Sequence, residues 1–417
     1  MAIPTTPTTY SGTTGVLGIA NVNTDKFVRD VTPGLQRKYK NIDPLFRIVN
    51  AIPQGKTAYN PKVEWITKDL NVRWAYLTTA VAASTAAGAT VTLIPAHTEG
   101  GSADTERFVV GDVVEVPSRA ANGTSTTNIG RVATVNADTS IVVDPIGWAS
   151  NDESTSLKFV ATYTNDKIHL LSNAQDEYSQ KPIPKVPISV SQFNYIQFLR
   201  VPYIIGNILL DQKEYTGTER EERREDTYRE IRIQAELNCI FGERYYLTGT
   251  SGRKYFMSGI YRYIFDGAGS NIYAGWEGGM TEADWDDFLV KGPGFTGSNR
   301  KLLFASSDLF LKINSFAKTK ERVQGTINMF GIEFTKYLAP DNKVYLMYHH
   351  HLFVEDHAGF GLIVDPAYIK NRPYGTQGTM QLATNIQEND RAGIADEWRI
   401  IHSLEVSRFE PHGVLTA

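Results

Sequence analysis

TGTEREERREDTYREIRIQAELNCIFGERYYLTGTSGRKYFMSGIYRYI, from Thr216 to Ile264, is the stretch that decides how the rest of the chain folds. It opens with an unbroken charged run, Glu219 to Asp226, and continues through mixed polar and apolar positions to Phe241. Thr218 with Glu221 three residues later matches a capping box, which predicts a helix start. Glu219 and Arg223, and again Glu225 and Arg229, are opposite charges at i,i+4 spacing, each pair worth about 0.3 kcal/mol. Gly242 supplies the stop. Ile231, Ile233, Ala235, Leu237 and Cys239 alternate with polar residues, which is the pattern of a strand. Length and capping decide for helix: about 24 residues rising ~1.5 Å each span roughly 35 Å. We expect a single long helix whose apolar face rests on a sheet. Its charged end would be left for another chain.

Working outward, 417 residues predict two or three domains with a sizeable core. Apolar residues make up 41% and charged residues 21%, ordinary values for a globular protein. A net charge of -4 lacks the basic excess of a nucleic-acid-binding domain. One cysteine, Cys239, excludes an intramolecular disulfide, a multi-thiolate zinc site and CxxC redox chemistry. It reads as a small buried apolar residue of the long helix. The opening MAIPTTPTTYSGTTG has neither a basic start nor an apolar core, so no secretory signal is expected. The longest apolar run, Val201 to Leu210, is too short to span a bilayer, and no membrane is expected. These features predict a soluble protein made in a reducing compartment.

Residues 1–55 are rich in Thr, Pro and Gly, with isolated anchors at Phe27, Leu35, Leu45 and Ile48. They read either as a disordered tail or as an arm ordered on a neighbour, and composition does not separate the two. Lys62 to Leu70 reads as a strand with Val63 and Trp65 on one face. From residue 73 to 165 the composition turns to Ala, Thr, Val, Ser and Gly. Short β-runs recur there at 89–94, 107–116, 129–135, 140–146 and 157–163, which predicts a small inserted barrel or sandwich. Pro182, Pro184 and Pro187 hold the returning segment extended. Thr281 to Val290 reads as a capped helix with acids in its first turn. Arg300 to Ala305 reads as a strand, and Ser306 or Ser307 caps a helix with Leu309, Ile313 and Phe316 on one face. Strands at 344–347, 361–365, 379–384 and 397–409 complete an α+β pattern.

Chemical signatures are sparse. Thr248 to Gly252 (TGTSG) lacks the spacing and the Lys of a phosphate loop. Tyr348-His349-His350-His351 is the one ligand-like cluster, with His349 and His351 on one face of a strand. They are weak metal candidates, because a catalytic zinc needs a third protein ligand. A polar strand end at a subunit contact, or a pH-sensitive one, explains them as well. The acids at Asp284, Asp286 and Asp287, at Asp365, and at Glu388 and Asp390 read as caps. Neither a catalytic residue nor a cofactor is expected.

The order of the pieces resembles the tailed-bacteriophage major capsid proteins of the Hong Kong 97-type fold, in the branch with a β-domain inserted in the extended loop. The residues behind this are VEWITKDL (63–70), FVVGDVVEV (108–116), NYIQFLRVPYIIG (194–206), AELNCIFGER (235–244), GRKYFMSGIYRYI (252–264) and EWRIIHSLEVSRFEPHGVL (397–415). The resemblance implies an N-terminal arm (1–55) and extended-loop strands (56–215) holding the inserted β-domain (73–165). It implies a spine helix of the peripheral domain (216–250), an axial domain (251–385) and a closing peripheral strand (386–417). The glycine-rich stretch 267–296 departs from the pattern, which leaves the axial boundary open.

The implied function is self-assembly, as pentamers and hexamers, into the icosahedral head around double-stranded DNA. Portal, scaffold or decoration proteins would be further partners, with synthesis in the host cytoplasm and residence in the virion. Assembly contacts are assigned to Glu219, Arg220, Glu221, Arg223, Arg224 and Trp65. Arg37 and Lys38 on the arm would meet DNA phosphates or a neighbour's acids. Charge reversal at Arg223 and Arg224 is expected to spare the fold and impair assembly. Two rivals are an encapsulin-like cargo shell, opposed by the length and the insert, and a metal-dependent hydrolase using His349 and His351.

Overall fold

The computed structural model describes residues 42–68, 73–82, 89–97, 101–119, 125–146, 161–175, 177–178, 181, 189–212, 218–250, 252–267, 269–294, 296–320 and 323–417. Arg37, Lys38, Phe27, Leu35 and the three prolines at 182, 184 and 187 lie outside them. The chain forms two compact units, one of residues 1–65 and 192–417, the other of residues 66–191.

The first described element is α1 (Pro44–Ala51), with proline at its start where the missing N–H costs nothing. Its Leu45, Phe46, Ile48 and Val49 are buried in the main core, so the last part of the 1–55 stretch is built into the subunit. Strand β1 (Lys62–Lys68) buries Val63 and Trp65 and exposes their neighbours, the alternation read from the sequence.

The smaller unit contains β2 (Trp74–Leu77), β3 (Val91–Leu93), β4 (Pro95–Ala96), β5 (Asp112–Arg119), β6 (Ser125–Asn136), β7 (Ser140–Pro145) and β8 (Lys167–Asn173). Their order in the sheet is β3-β7-β6-β5-β8-β2-β4. Because β4 follows β3 after Ile94 alone, the last strand continues the first and the sheet closes on itself. Of the two forms expected, this is the barrel. Leu77, Leu93, Val114, Val116, Val132, Ile141, Val143 and Ile168 fill the interior. Strand β8 lies past the 73–165 window, in KIHLLSN, where only Ile168 is fully buried and the alternation is faint.

The chain then runs through β9 (Ser189–Tyr195), which pairs β1, and β10 (Gln197–Gly206), followed by the single turn α2 (Asn207–Leu210). The long helix α3 spans Glu219–Phe241. Its start differs from the capping-box expectation, since the Thr218 side chain makes no cap bond. The first turn is held instead by Arg220, whose guanidinium is fixed on Asp396. At the other end Gly242 is required by close approach, not by a left-handed turn. A Cβ there would stand 2.4 Å from the Met257 carbonyl oxygen. The chain continues as the hairpin β11 (Tyr245–Gly249) and β12 (Gly252–Phe256), then α4 (Ile260–Gly267). Gly259, just before α4, donates its N–H to the Gly242 carbonyl at 2.7 Å.

The remaining elements are β13 (Ile272–Ala274), α5 (Glu282–Lys291), β14 (Arg300–Ala305), α6 (Ser307–Lys320), β15 (Val323–Met329), β16 (Ile332–Leu338) and β17 (Val344–His349). After them come β18 (Gly361–Val364), β19 (Ile369–Pro373), β20 (Gln381–Ala383), β21 (Gly393–Val406) and β22 (Gly413–Thr416). The expected caps are present: Thr281 and Asp284 form a capping box on α5, and the Ser306 hydroxyl accepts the Leu309 N–H. One sheet is β10-β21-β19, with β20 also on β21; the other runs β13-β22-β18-β14-β17-β16-β15. The fold class is α+β, as read from the sequence. Strand β14 is buried on both faces, which explains its unbroken apolar run. Leu302 and Phe304 face the main core, while Leu303 and Ala305 face a second cluster with Trp285 and Leu289 of α5 and Leu309 and Ile313 of α6.

Candidate functional site

Helix α3 buries Ile231, Ala235, Cys239 and Ile240, spaced i, i+4, i+8 and i+9, in one cluster with Leu199 and Val201 of β10 and Ile400 and Leu404 of β21. The long helix thus rests on a sheet, as expected. Two polar centres tie it to the rest of its unit.

The first centre is Asp396 of β21, whose side chain is fully buried. Arg220 holds both of its oxygens at 2.9 Å, in the bidentate fork that guanidinium groups make best. Arg224 donates to Oδ2 at 3.1 and 3.2 Å, the Tyr203 hydroxyl at 2.6 Å, and the Asn385 N–H to Oδ1 at 2.9 Å. Burial pushes the Asp396 carboxyl up, but these hydrogen bonds outweigh it and hold the group well below the usual carboxylate range.

The second centre is Glu236, which falls on the buried stripe of α3 beside Ala235. Its carboxylate accepts the Leu45 and Phe46 N–H groups, at 3.0 and 2.5 Å, from the first turn of α1. It also bonds His350 Nε2 at 2.7 Å, and His350 Nδ1 accepts the Leu352 N–H. One helical turn away, Arg232 pairs with Asp43 at 2.5 Å. Residues 43–46 are therefore bolted to the long helix.

These placements redistribute the residues expected to meet another chain. Arg220 and Arg224 face inward onto Asp396, and Trp65 lies in the subunit's own core, with its ring 6.0 Å from that of Tyr263. Arg223 is exposed, holding Glu219 at 2.6 Å, and Glu221 is exposed too. Arg37 and Lys38 are outside the described residues. His349 bonds the Ser307 hydroxyl at 2.7 Å, and its ring stands 4.8 Å from that of His351. Burial, then the neighbouring His351 and His350, hold His349 below the ordinary imidazole value, so it is neutral at pH 7. Among the described residues no group of three or more His, Cys, Asp or Glu side chains could hold a metal ion. Nor does any helix there have the length and apolarity to cross a membrane.

Asp396 and Glu236 escaped the sequence reading, and His350 was read only as a member of the 348–351 cluster, not as a partner of the long helix. A signal was present for two of them. Projected at 3.6 residues per turn, Glu236 lands among apolar neighbours, where an acid must find donors. Asp396 and Glu397 likewise interrupt the apolar strand that follows them.

The surface these elements leave open is apolar in patches. The sheet face away from α3 carries an open groove of ≈ 730 Å³, lined by Arg200, Pro202, Ile204, Ile386 and Glu397 among others. Ile66, Ile204, Ile208 and Leu311 are each at least 60% exposed, an arrangement suited to burial against other chains.

The SU10 major capsid protein family matches this sequence over residues 8–416. The chain belongs to that family. This capsid protein is therefore a shell protein of a phage head, and the virion capsid is where it resides. No curated protein matches it. Solved structures similar to the capsid protein include one from Mycobacterium phage Bobi, at 8% identity over 92% of this chain and 95% of that one, with a TM-score of 0.44. One from Mycobacterium phage Cain has 9% identity, coverage of 92% and 95%, and a TM-score of 0.41. The holo-SrpI encapsulin complex of Synechococcus elongatus has 12% identity over 55% of this chain and 77% of that one, with a TM-score of 0.40.

Proposed function

We propose that this capsid protein builds the icosahedral head as pentamers and hexamers of itself and encloses double-stranded DNA without catalysing a reaction. The observation that carries this is the family match over nearly the whole chain. The build of the subunit supports it. The β11–β12 ribbon and the open sheet faces expose large apolar side chains, and such surfaces are covered when subunits overlap in interfaces above roughly 2,000 Å². The exposed face of α3 around Glu219, Glu221 and Arg223 would set register between copies, because mixed charges select orientation without harming solubility. Arg37 and Lys38 would meet phosphates or a neighbour's acids. A portal, with scaffold or decoration proteins, would complete the head, and the subunit would be made in the host cytoplasm.

Negative-stain microscopy of the chain overexpressed alone tests this reading. Closed shells of uniform size are the expected outcome. A preparation that stays monomeric at high concentration in both low and high salt would count against it.

A further inference from the structure

Among the described residues, β11 and β12 pair only with each other. Nine of their ten residues are exposed and the tenth, Tyr255, is half-buried. An isolated two-stranded ribbon is marginal in water, and both of its edges present unpaired backbone groups. The two faces differ in what they touch. Tyr246 and Tyr255 turn toward Tyr195 of β9, with ring centroids 5.7 and 5.8 Å away. On the other face Tyr245 stands opposite Phe256, and Leu247 opposite Lys254. Tyr245, Leu247 and Phe256 are 57, 45 and 37% exposed and line a groove of ≈ 280 Å³ together with Gln197, Asn238 and Glu243. Asn238 brings a side-chain nitrogen that is buried and has no hydrogen-bond partner among the described residues. A buried donor left unmade costs roughly 1–3 kcal/mol.

We propose that this hairpin is a docking ribbon for a second copy of the chain, whose extended strand adds to its edge and sends apolar side chains into the groove beside Asn238. The proposal rests on the self-assembly reading above and names the surface that performs it. Strand addition suits the site because backbone hydrogen bonds supply the affinity while alternate side chains fill the groove. Charge points to a copy of the same chain as the occupant. Arg253 and Lys254 on the hairpin have no carboxylate within 4 Å among the described residues. The same chain exposes Glu221, Glu355 and Asp356, which likewise pair with no cation there. Each charge left over on one copy has its counterpart on another.

The test is hydrogen exchange of residues 245–256 in free subunits and in shells assembled from this chain alone. The hairpin amides are expected to exchange at least about tenfold more slowly in shells, as amides do when they enter a ladder. Equal exchange in both states overturns the proposal. Protection seen only in complete heads, and not in shells of the chain alone, also overturns it and assigns the surface to another protein. If the chain forms no shells at all, the self-assembly reading fails first and takes this one with it. Leu247→Glu supplies an independent arm: it should lower shell yield about tenfold, equivalent to ~1.4 kcal/mol per contact. Its fold is checked by Cys239, which is buried in α3 and should stay unreactive to thiol reagents. Normal shells from Leu247→Glu would overturn the proposal.

Discussion

At the scale of single residues, neighbouring charges on one helix have opposite fates. Arg223 and Arg224 are adjacent in sequence, yet Arg223 is 56% exposed and holds Glu219, while Arg224 reaches the buried Asp396. An exposed i,i+4 pair contributes little, whereas putting a second acid beside a buried carboxylate is severe. The expectation that both positions could be reversed without harm to the subunit is corrected for Arg224. Arg223→Glu should leave the urea midpoint within about 0.5 kcal/mol of wild type, while Arg224→Glu should cost about 2 kcal/mol or more. Equal midpoints for the two variants would contradict this account.

Histidine supplies a second contrast at this scale. His402, buried with its ring edge-on to that of Phe46, is pushed by burial down to about 4. An unfolded histidine titrates near 6.5, so between these values the unfolded chain takes up a proton that the folded one refuses. Stability is therefore complete above about pH 6.5 and falls as pH drops toward about 4. Asp396 adds to the loss further down, since its depressed carboxyl contributes above the usual carboxylate range and stops contributing as acid protonates it. His402→Phe should flatten the thermal midpoint between pH 6.5 and 4 relative to wild type, and unchanged slopes would contradict the assignment.

At the scale of elements, the long helix is defined as much by its exit as by its sequence. Its last turn meets the approach to α4 backbone to backbone, through Gly242 and Gly259. A Cβ on Gly259 would stand 2.5 Å from the Ile240 carbonyl oxygen and 2.7 Å from the Gly242 nitrogen, neither of which can swing away. Gly259→Ala should therefore cost about 1–3 kcal/mol in unfolding free energy. Gly206→Ala, where a Cβ meets nothing within 4 Å, should be close to neutral. Both glycines look alike in the sequence, and only the distance between backbones tells them apart.

At the scale of the whole molecule, strands β2–β8 come round into a barrel, while the larger unit keeps open edges at β10, β13 and the β11–β12 hairpin. A shell subunit built this way has one part that can stand alone and another that offers faces and ribbons to its neighbours. The chain also passes more than once between the two sheets of the larger unit. Strands β19 and β20 pair with β21, whereas β22, only a few residues after β21, joins β13 and β18. No local pattern announces such crossings, because each strand reads the same in either sheet.

Much of this protein was legible without coordinates. The long helix, the strands β1, β14, β17 and β21, the Thr281 cap and the inserted all-β unit follow from spacing and composition, which act over a few residues. Tertiary structure alone decided which charges are available to a neighbour. The side chains of Arg220 and Asp396 meet although they are 176 positions apart, and the Leu45 backbone N–H reaches the Glu236 carboxylate across 191. Local rules assign a charged run to solvent by default. A buried carboxylate is tolerated only where distant donors converge on it, and that convergence exists only once the sheet has placed Asp396 beneath the helix.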